Sequence, residues 1–200
     1  VQPNLVGDVV VKQLKDVETI GSLWSSGHAQ KERWVETINH TLVAGCTGTV
    51  GLIDPSAGTT TTLFTIPNVD DGGEHGAMDV AVAPDFATTR QFYVYYSATP
   101  DSRLHIDRFT LGADGPATAA SRTVIWLNPG RNASEFGIYH IGGSLNFGPD
   151  GRFYLSIGDA FSPGNGQDLS TVFGKVLRIN RDGSVPANNP FHDGAGTNVD

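Results

Sequence analysis

Short runs of alternating apolar and polar residues recur along the chain, and glycine, proline, aspartate or asparagine bounds almost every run. Val, Ile, Thr, Phe and Tyr are frequent in these runs, and such residues fit a pleated, half-buried strand. The pattern predicts eleven strands, within the segments RWVETI, TLVAG, GTVGLID, TTTLFTI, MDVAVA, QFYVYYS, LHIDRFTLG, RTVIWLN, GSLNF, RFYLSI and KVLRIN. Helical periodicity is nearly absent, and only GQDLSTVFGK is predicted to hold a helical turn, ending at Gly174. The sequence therefore predicts an all-β protein.

Two strand pairs repeat one another. The segments DVAVAPDFATTRQFYVYYS and GSLNFGPDGRFYLSIGD each lead from an alternating strand through Pro-Asp and a turn into an aromatic-rich strand. Pro84 and Pro149 occupy the same place in the two copies and stand 65 residues apart, and a looser third copy lies in TLVAGCTGTVGLIDPSAGTTTTLF. Repeated antiparallel units of this kind indicate a β-propeller, whose blades pack radially around a central channel.

The spacing of the repeat also bears on domain organisation. At one blade per 65 residues, a chain of 200 residues forms about three blades, whereas a closed propeller typically has about four to eight. We therefore expect residues 1–200 to form a single propeller domain that is incomplete, as the N-terminal part of a longer chain.

Charge and cysteine content exclude several classes of partner and site. The formal net charge is -8, with no cluster of Lys or Arg, which argues against a nucleic-acid partner because such binding depends on a basic surface. Cys46 is the single cysteine, so no intrachain disulfide or thiolate metal site can form. No run approaches eighteen apolar residues, which predicts that no segment spans a membrane.

Two residues around the second repeat are candidates for catalysis. His140 precedes a Gly-Gly pair that leads into a strand, and Asp159 follows the next strand. An imidazole titrates near neutral pH, and a carboxylate on one of its nitrogens sets the tautomer and stabilises the imidazolium form. Each residue also has a structural interpretation, as a loop histidine with a backbone partner and as a turn aspartate. Asp85 and Asp150, each directly after proline, are interpreted as turn residues.

The ordered series HGAMDVAVAPDF, YVYYS, HIGGSLNFGPDGRFYLSIGD and QDLSTVFGKVLRINRDGSVPANNPF resembles the soluble glucose and sorbosone dehydrogenase family. Its members are aldose dehydrogenases that use pyrroloquinoline quinone (PQQ) on a six-bladed propeller. The resemblance implies oxidation of an aldose at its anomeric carbon, with hydride transfer to PQQ, Ca²⁺ as a second cofactor and an external electron acceptor. It also implies an extracellular or periplasmic location. The family's general base matches His140, and the aspartate that orients this base matches Asp159.

One position departs from the family pattern. Where the family often carries a glutamine that contacts sugar and cofactor, this chain has Glu74. A carboxylate can still accept a hydrogen bond from a sugar hydroxyl, but it adds negative charge beside a trianionic quinone, and a solvated loop acid is the alternative interpretation. The family's quinone-binding arginines and Ca²⁺ ligands come from later blades, so they are expected beyond residue 200. Lys175 and Arg178 are instead expected to take part in blade packing and loop pairing.

Two other functions remain compatible with the sequence. Propellers of the same superfamily include extracellular proteins that bind other proteins without a quinone, and the departure at Glu74 favours this alternative. The pair His140 and Asp159 opposes it. A Ca²⁺-dependent, lactonase-like propeller hydrolase is the second alternative, and it would need converging Glu, Asn and Asp ligands that the sequence does not identify.

Overall fold

The computed structural model describes residues 33–37, 40–54, 57–99, 101–112, 121–129 and 139–195. Residues 1–32, predicted to belong to the same propeller domain, lie outside this part of the chain. The described strands are β1 (Arg33–Thr37), β2 (His40–Ala44), β3 (Thr49–Asp54), β4 (Thr59–Thr65), β5 (Ala77–Val82), β6 (Gln91–Ala98), β7 (Arg103–Thr110), β8 (Thr123–Leu127), β9 (Leu145–Phe147), β10 (Phe153–Ile157) and β11 (Lys175–Ile179). Each predicted segment overlaps one of these strands, with ends that differ by one residue in several cases, so the all-β prediction is confirmed.

The described strands form three antiparallel sheets, in the orders β1-β2-β3-β4, β5-β6-β7-β8 and β9-β10-β11. The first strand of the second sheet, β5, contacts both β1 and β9, the first strands of its neighbours. The sheets therefore extend outward from a shared inner side, as consecutive blades of a β-propeller do. This arrangement confirms the predicted propeller architecture.

The sequence repeats correspond to strands of consecutive blades. Pro84 follows β5 and Pro149 follows β9, so the two clear copies are the inner strand pairs of the second and third sheets. The looser third copy covers β2 to β4. It begins at the second strand of its sheet, whereas the two clear copies begin at the first strand of theirs, because the first sheet begins with β1.

Both faces of β5 and β6 in the second sheet are buried, because each face packs against a neighbouring sheet. Successive residues of a strand point to opposite faces, so Phe92 and Tyr93 enter different cores. Phe92 stacks with Phe109, and Phe64 from the first sheet contacts both rings. Tyr93 contacts rings of the third sheet. All six residues of β5 are buried as a result of this two-sided packing.

The blade connections that precede β5 and β9 lie at one end of the sheets. The loop that follows β10 lies at the same end, since Ile157 at the end of β10 pairs with Lys175 at the start of β11 and Leu155 pairs with Leu145 at the start of β9. Three segments that are distant in sequence therefore meet at this end of the inner strands.

Helix is scarce in the described residues. An α-helix spans Phe86–Thr89, and a 3-10 helix spans Pro163–Gln167. The prediction of a helical turn within residues 166–175 is wrong, because the 3-10 helix begins earlier, with proline in its first turn, and ends at Gln167. Asp168 then accepts a hydrogen bond from the backbone N–H of Ser170, which favours a turn over a continued helix. Neither described helix has the length or the apolar character needed to cross a membrane.

At the end of the blades opposite to these connections, charged side chains form hydrogen bonds within and between the sheets. Arg178 donates to Asp150 at 2.8 Å, and Arg181 donates to Asp85 at 2.9 Å. Arg181 also donates to the Tyr93 hydroxyl at 2.8 Å, which links the third sheet to the second. The structural roles expected for Asp85, Asp150 and Arg178 agree with these contacts.

Candidate functional site

The three residues that the sequence singled out lie together at the end where the connections meet. His140 Nδ1 lies 2.9 Å from Asp159 Oδ1, and the backbone N–H of His140 donates to Glu74 Oε2 at 2.7 Å. Glu74 precedes β5, His140 precedes β9, and Asp159 follows β10. The cluster therefore joins the second and third sheets.

The imidazole of His140 has one nitrogen engaged and remains accessible to a ligand. Its side chain is 52% exposed. An ionised carboxylate can only accept hydrogen bonds, so contact with Asp159 places the proton of the neutral ring on Nδ1. Nε2 is then the nitrogen that can accept a proton.

Backbone strain is concentrated at this cluster. His140, Ala160 and Phe161 have φ values of 57°, 54° and 60°, in the left-handed region that non-glycine residues rarely adopt. Each such residue costs on the order of 1–3 kcal/mol and persists only where its surroundings impose it. Ala160 N donates to the His140 carbonyl at 2.9 Å, and Phe161 N donates to Asp159 Oδ1 at 3.1 Å. These bonds hold the strained residues against each other.

Two glycines allow this close approach of backbones. A Cβ on Gly158 would lie 2.1 Å from the His140 carbonyl oxygen, and a Cβ on Gly143 would lie 1.7 Å from the Ser156 carbonyl oxygen. Both distances are far shorter than any real contact of a methyl group. The glycines at these two positions therefore allow His140 and Asp159 to meet.

Hydrogen bonds hold the loop that carries Asp159 in place. Asn165 donates through its side-chain amide to the Asp159 carbonyl at 2.9 Å. Lys175 Nζ in turn donates to the carbonyls of Asn165 and Phe173. Partial burial lowers the pKa of Lys175 despite the opposing charge of Asp168. The role in loop pairing expected for Lys175 agrees with these contacts.

His75, next to Glu74 in sequence, has a different role. Its side chain is buried, and Nδ1 lies 2.8 Å from Asp70 Oδ2 within the same connection. The following residue, Gly76, donates its backbone N–H to the Ser97 hydroxyl at 3.0 Å. His75 therefore braces the connection that presents Glu74 and does not join the cluster itself.

Sequence reasoning missed two aromatic residues at the site. Phe161 is 70% exposed, and its ring centroid lies 4.9 Å from that of His140. Tyr139 is 47% exposed, with its ring centroid 6.4 Å from that of Phe161. The available signal was an aromatic residue within the polar, glycine-rich segment GDAFSPGNG. Such a residue has no strand partner to pack on, which is unusual for phenylalanine.

Sequence reasoning also missed a buried acid behind the site. Asp79 lies on β5, fully buried, and its carboxylate accepts hydrogen bonds from the backbone N–H groups of Val80 and Leu145. Leu145 is the first residue of β9, so Asp79 holds the end of the segment that carries His140. In the sequence, Asp79 lies within the apolar run MDVAVA, which was interpreted only as a strand.

The chain matches a family of known proteins. The model of the Glucose / Sorbosone dehydrogenase family matches residues 32–199. Quinoprotein glucose dehydrogenase B of Acinetobacter calcoaceticus is 30% identical over 190 residues, which cover 79% of this chain and 38% of that protein. Aldose sugar dehydrogenase YliI of Escherichia coli is 30% identical over 132 residues, which cover 64% of this chain and 34% of that protein.

A solved structure has the same architecture. The PQQ-bound form of the aldose sugar dehydrogenase from Streptomyces coelicolor superposes with a TM-score of 0.68 and 25% sequence identity, over 84% of this chain and 53% of that one. This chain thus spans between 34% and 53% of the length of the three proteins compared. Since the family model covers most of the chain, the protein belongs to the glucose/sorbosone dehydrogenase family.

Proposed function

We propose that the complete protein oxidises an aldose sugar at its anomeric carbon, with PQQ as the hydride acceptor and His140 as the general base. The observation that carries this proposal is the pair His140 and Asp159, whose side chains meet at 2.9 Å while the imidazole stays half-exposed. Family membership supports the reaction class, that of a sugar oxidoreductase.

The proton step follows from this pair. Nε2 of His140 accepts the proton of the anomeric hydroxyl as the hydrogen on the same carbon leaves as hydride, and the sugar becomes a lactone. The imidazolium that forms is stabilised by the carboxylate of Asp159 on its other nitrogen. Tight backbone packing around His140 keeps the ring from reorienting between turnovers.

Glu74 contributes to the proposed reaction by contacting the backbone of the proposed base, His140. One carboxylate oxygen accepts from the backbone N–H of His140, so we assign Glu74 a positioning role in addition to a contact with substrate or cofactor. Its negative charge would disfavour an anionic group bound close by. The neutral hydroxyls of an aldose suit this environment better than an acidic sugar does.

The cluster of Glu74, His140 and Asp159 fits the sugar side of this reaction and not the carboxylates of PQQ. Three carboxylates call for arginine or lysine, and the cluster contains neither. Arg122, Arg178 and Arg181 are paired with aspartates elsewhere, while Lys175 binds carbonyls. Within the described segments, no group of three or more His, Cys, Asp or Glu residues is placed to hold a metal ion. We therefore propose that residues elsewhere in the complete protein bind PQQ, which supplies hydride-accepting chemistry, and Ca²⁺.

The remaining elements of the proposal rest on the family resemblance. We propose an extracellular or periplasmic location, a small sugar as substrate and an external electron acceptor that reoxidises the cofactor. Nucleic acid is not proposed as a partner, given the net charge of -8.

The test is to replace the base in the complete protein reconstituted with PQQ and Ca²⁺. His140→Ala should lower kcat for aldoses by about a hundred- to ten-thousandfold, with unchanged thermal stability and PQQ absorbance. His192→Ala removes an exposed histidine outside the cluster and serves as the matched control. A His140→Ala enzyme that retained kcat within about threefold of the wild type would show that His140 is not the general base. A wild type that bound no PQQ would favour the binding-protein or hydrolase alternatives.

A further inference from the structure

We infer that the ring of Phe161 is a platform on which the C–H face of the aldopyranose packs, so that Phe161 helps to determine sugar specificity. This inference rests on the proposed aldose oxidation. It starts from the position of the ring, which is 70% exposed and lies 4.9 Å, centroid to centroid, from the imidazole of His140. A substrate whose hydroxyl reached Nε2 of His140 would come within contact of this ring.

The exposure of Phe161 carries two energetic costs. A phenylalanine side chain left largely in water forgoes much of the free energy that its burial would provide. Its φ of 60° adds strain, and its neighbour Ala160 is also in the left-handed region. A loop selected only for stability would place glycine or asparagine at such positions. What assigns this exposed phenylalanine to a ligand is its position, since its ring lies beside the imidazole that the substrate must reach.

The carboxylate that orients the base also holds Phe161. Asp159 Oδ1 accepts from both His140 Nδ1 and the backbone N–H of Phe161, at 2.9 and 3.1 Å. The ring and the imidazole therefore have a common anchor and keep a defined separation. Tyr139 adds a second exposed aromatic ring, whose centroid lies 6.4 Å from that of Phe161.

The chemistry of this surface favours a sugar over the quinone. An aldopyranose is neutral and presents axial C–H groups on its faces, which pack well on an aromatic ring. A trianionic quinone would need positive charge, whereas Phe161 is bonded through its backbone to the carboxylate of Asp159, and the neighbouring His140 is bonded to that of Glu74. The open face of Phe161 is therefore assigned to the sugar.

Steady-state kinetics of the complete, reconstituted enzyme test the platform. Phe161→Ala should raise KM for D-glucose about three- to tenfold and change kcat less than about threefold, since stacking adds a modest binding term. Phe161→Trp and Phe161→Tyr should keep KM near the wild-type value, and Phe161→Leu should not. Phe191 is 61% exposed and follows β11 at the opposite end of the blades, so Phe191→Ala is the matched control. Unchanged KM in Phe161→Ala would overturn the inference.

A second readout separates this inference from the proposed function. Saturation-transfer NMR with D-glucose reports which sugar protons contact the protein, whether or not turnover occurs. Transfer to the ring C–H protons that is lost in Phe161→Ala and kept in Phe191→Ala supports the platform, even for a protein that oxidises no aldose. Equal transfer in both variants overturns it. Weaker PQQ affinity in Phe161→Ala with unchanged sugar contacts would also overturn it, by assigning the ring to the quinone.

Discussion

The backbone N–H of His140 donates a 2.7 Å hydrogen bond to the carboxylate of Glu74, a residue 66 positions earlier in the chain. A side chain from one blade connection therefore fixes the backbone of the next. Because His140 adopts a positive φ, its backbone needs such support to stay in place. If Glu74 replaces a glutamine of the family, as the resemblance implies, the replacement would affect the position of the proposed base as well as the charge around it.

Replacing Glu74 should separate these two effects. Glu74→Gln keeps an acceptor oxygen for the N–H of His140, so kcat should stay within a few-fold of the wild type while KM for the sugar or affinity for PQQ changes with the lost charge. Glu74→Ala removes the acceptor, and a lost charge-assisted hydrogen bond of about 1.5–3 kcal/mol predicts a fall in kcat of ten- to a hundredfold. Asp71→Ala, at an exposed acid in the same connection, is the control. Equal kinetics in all three variants would make Glu74 a solvated loop acid.

Asp159 should affect the rate of proton transfer only through its contact with His140. In Asp159→Asn the amide can still bind the ring nitrogen but cannot stabilise the imidazolium, so kcat should fall about ten- to a hundredfold. The double variant with His140→Ala should turn over no more slowly than His140→Ala alone, because residues that act as a unit are not additive. Additive losses, measured by single-turnover kinetics, would mean that Asp159 acts on the substrate independently.

Gly158 should be intolerant of a side chain. A Cβ there would lie 2.1 Å from the His140 carbonyl oxygen, so Gly158→Ala must move the two segments apart. We expect a loss of about 1–3 kcal/mol in the free energy of unfolding and a lower kcat, measured by denaturant titration and kinetics. Gly164→Ala in the same loop is the matched control, because a Cβ at Gly164 would meet nothing within 4 Å. A similar loss of stability and kcat in both variants would show that the effect comes from any added side chain in this loop and not from the contact between Gly158 and His140.

Asp150 should make stability depend on pH in the acid range. Burial alone would raise the pKa of Asp150, but hydrogen bonds from Arg178 and Arg152 outweigh it and lower the pKa to about 2. The ionised form is thus favoured by folding, and its contribution is complete above the ordinary aspartate pKa of 3.8 and lost as the pH falls toward 2. Asp150→Asn should therefore lower Tm near pH 6, with a difference from the wild type that shrinks between pH 4 and 2. A difference that stayed constant over this range would contradict the assignment.

Much of the fold could be predicted because its signals are local. Alternation of apolar and polar residues and the turn residues between strands depend on neighbouring positions only, so all eleven strand segments were predicted. Each copy of the motif around Pro84 and Pro149 is also a local pattern, and its recurrence along the chain predicted the propeller. The helical turn was misplaced, because a single proline and one aspartate side chain decide where a five-residue helix lies.

The sequence by itself determined the strands, the blade repeat and the residue types available for catalysis. His140, Asp159 and Glu74 were singled out from their motifs, but their contacts depend on how consecutive blades pack. Only the tertiary structure decided that Glu74 binds the backbone of His140 and that Phe161 stands exposed beside it. These residues lie in different blade connections, and no repeat in the sequence indicates how close the connections come. The packing of the buried sheets sets the distance between the strand ends that carry them.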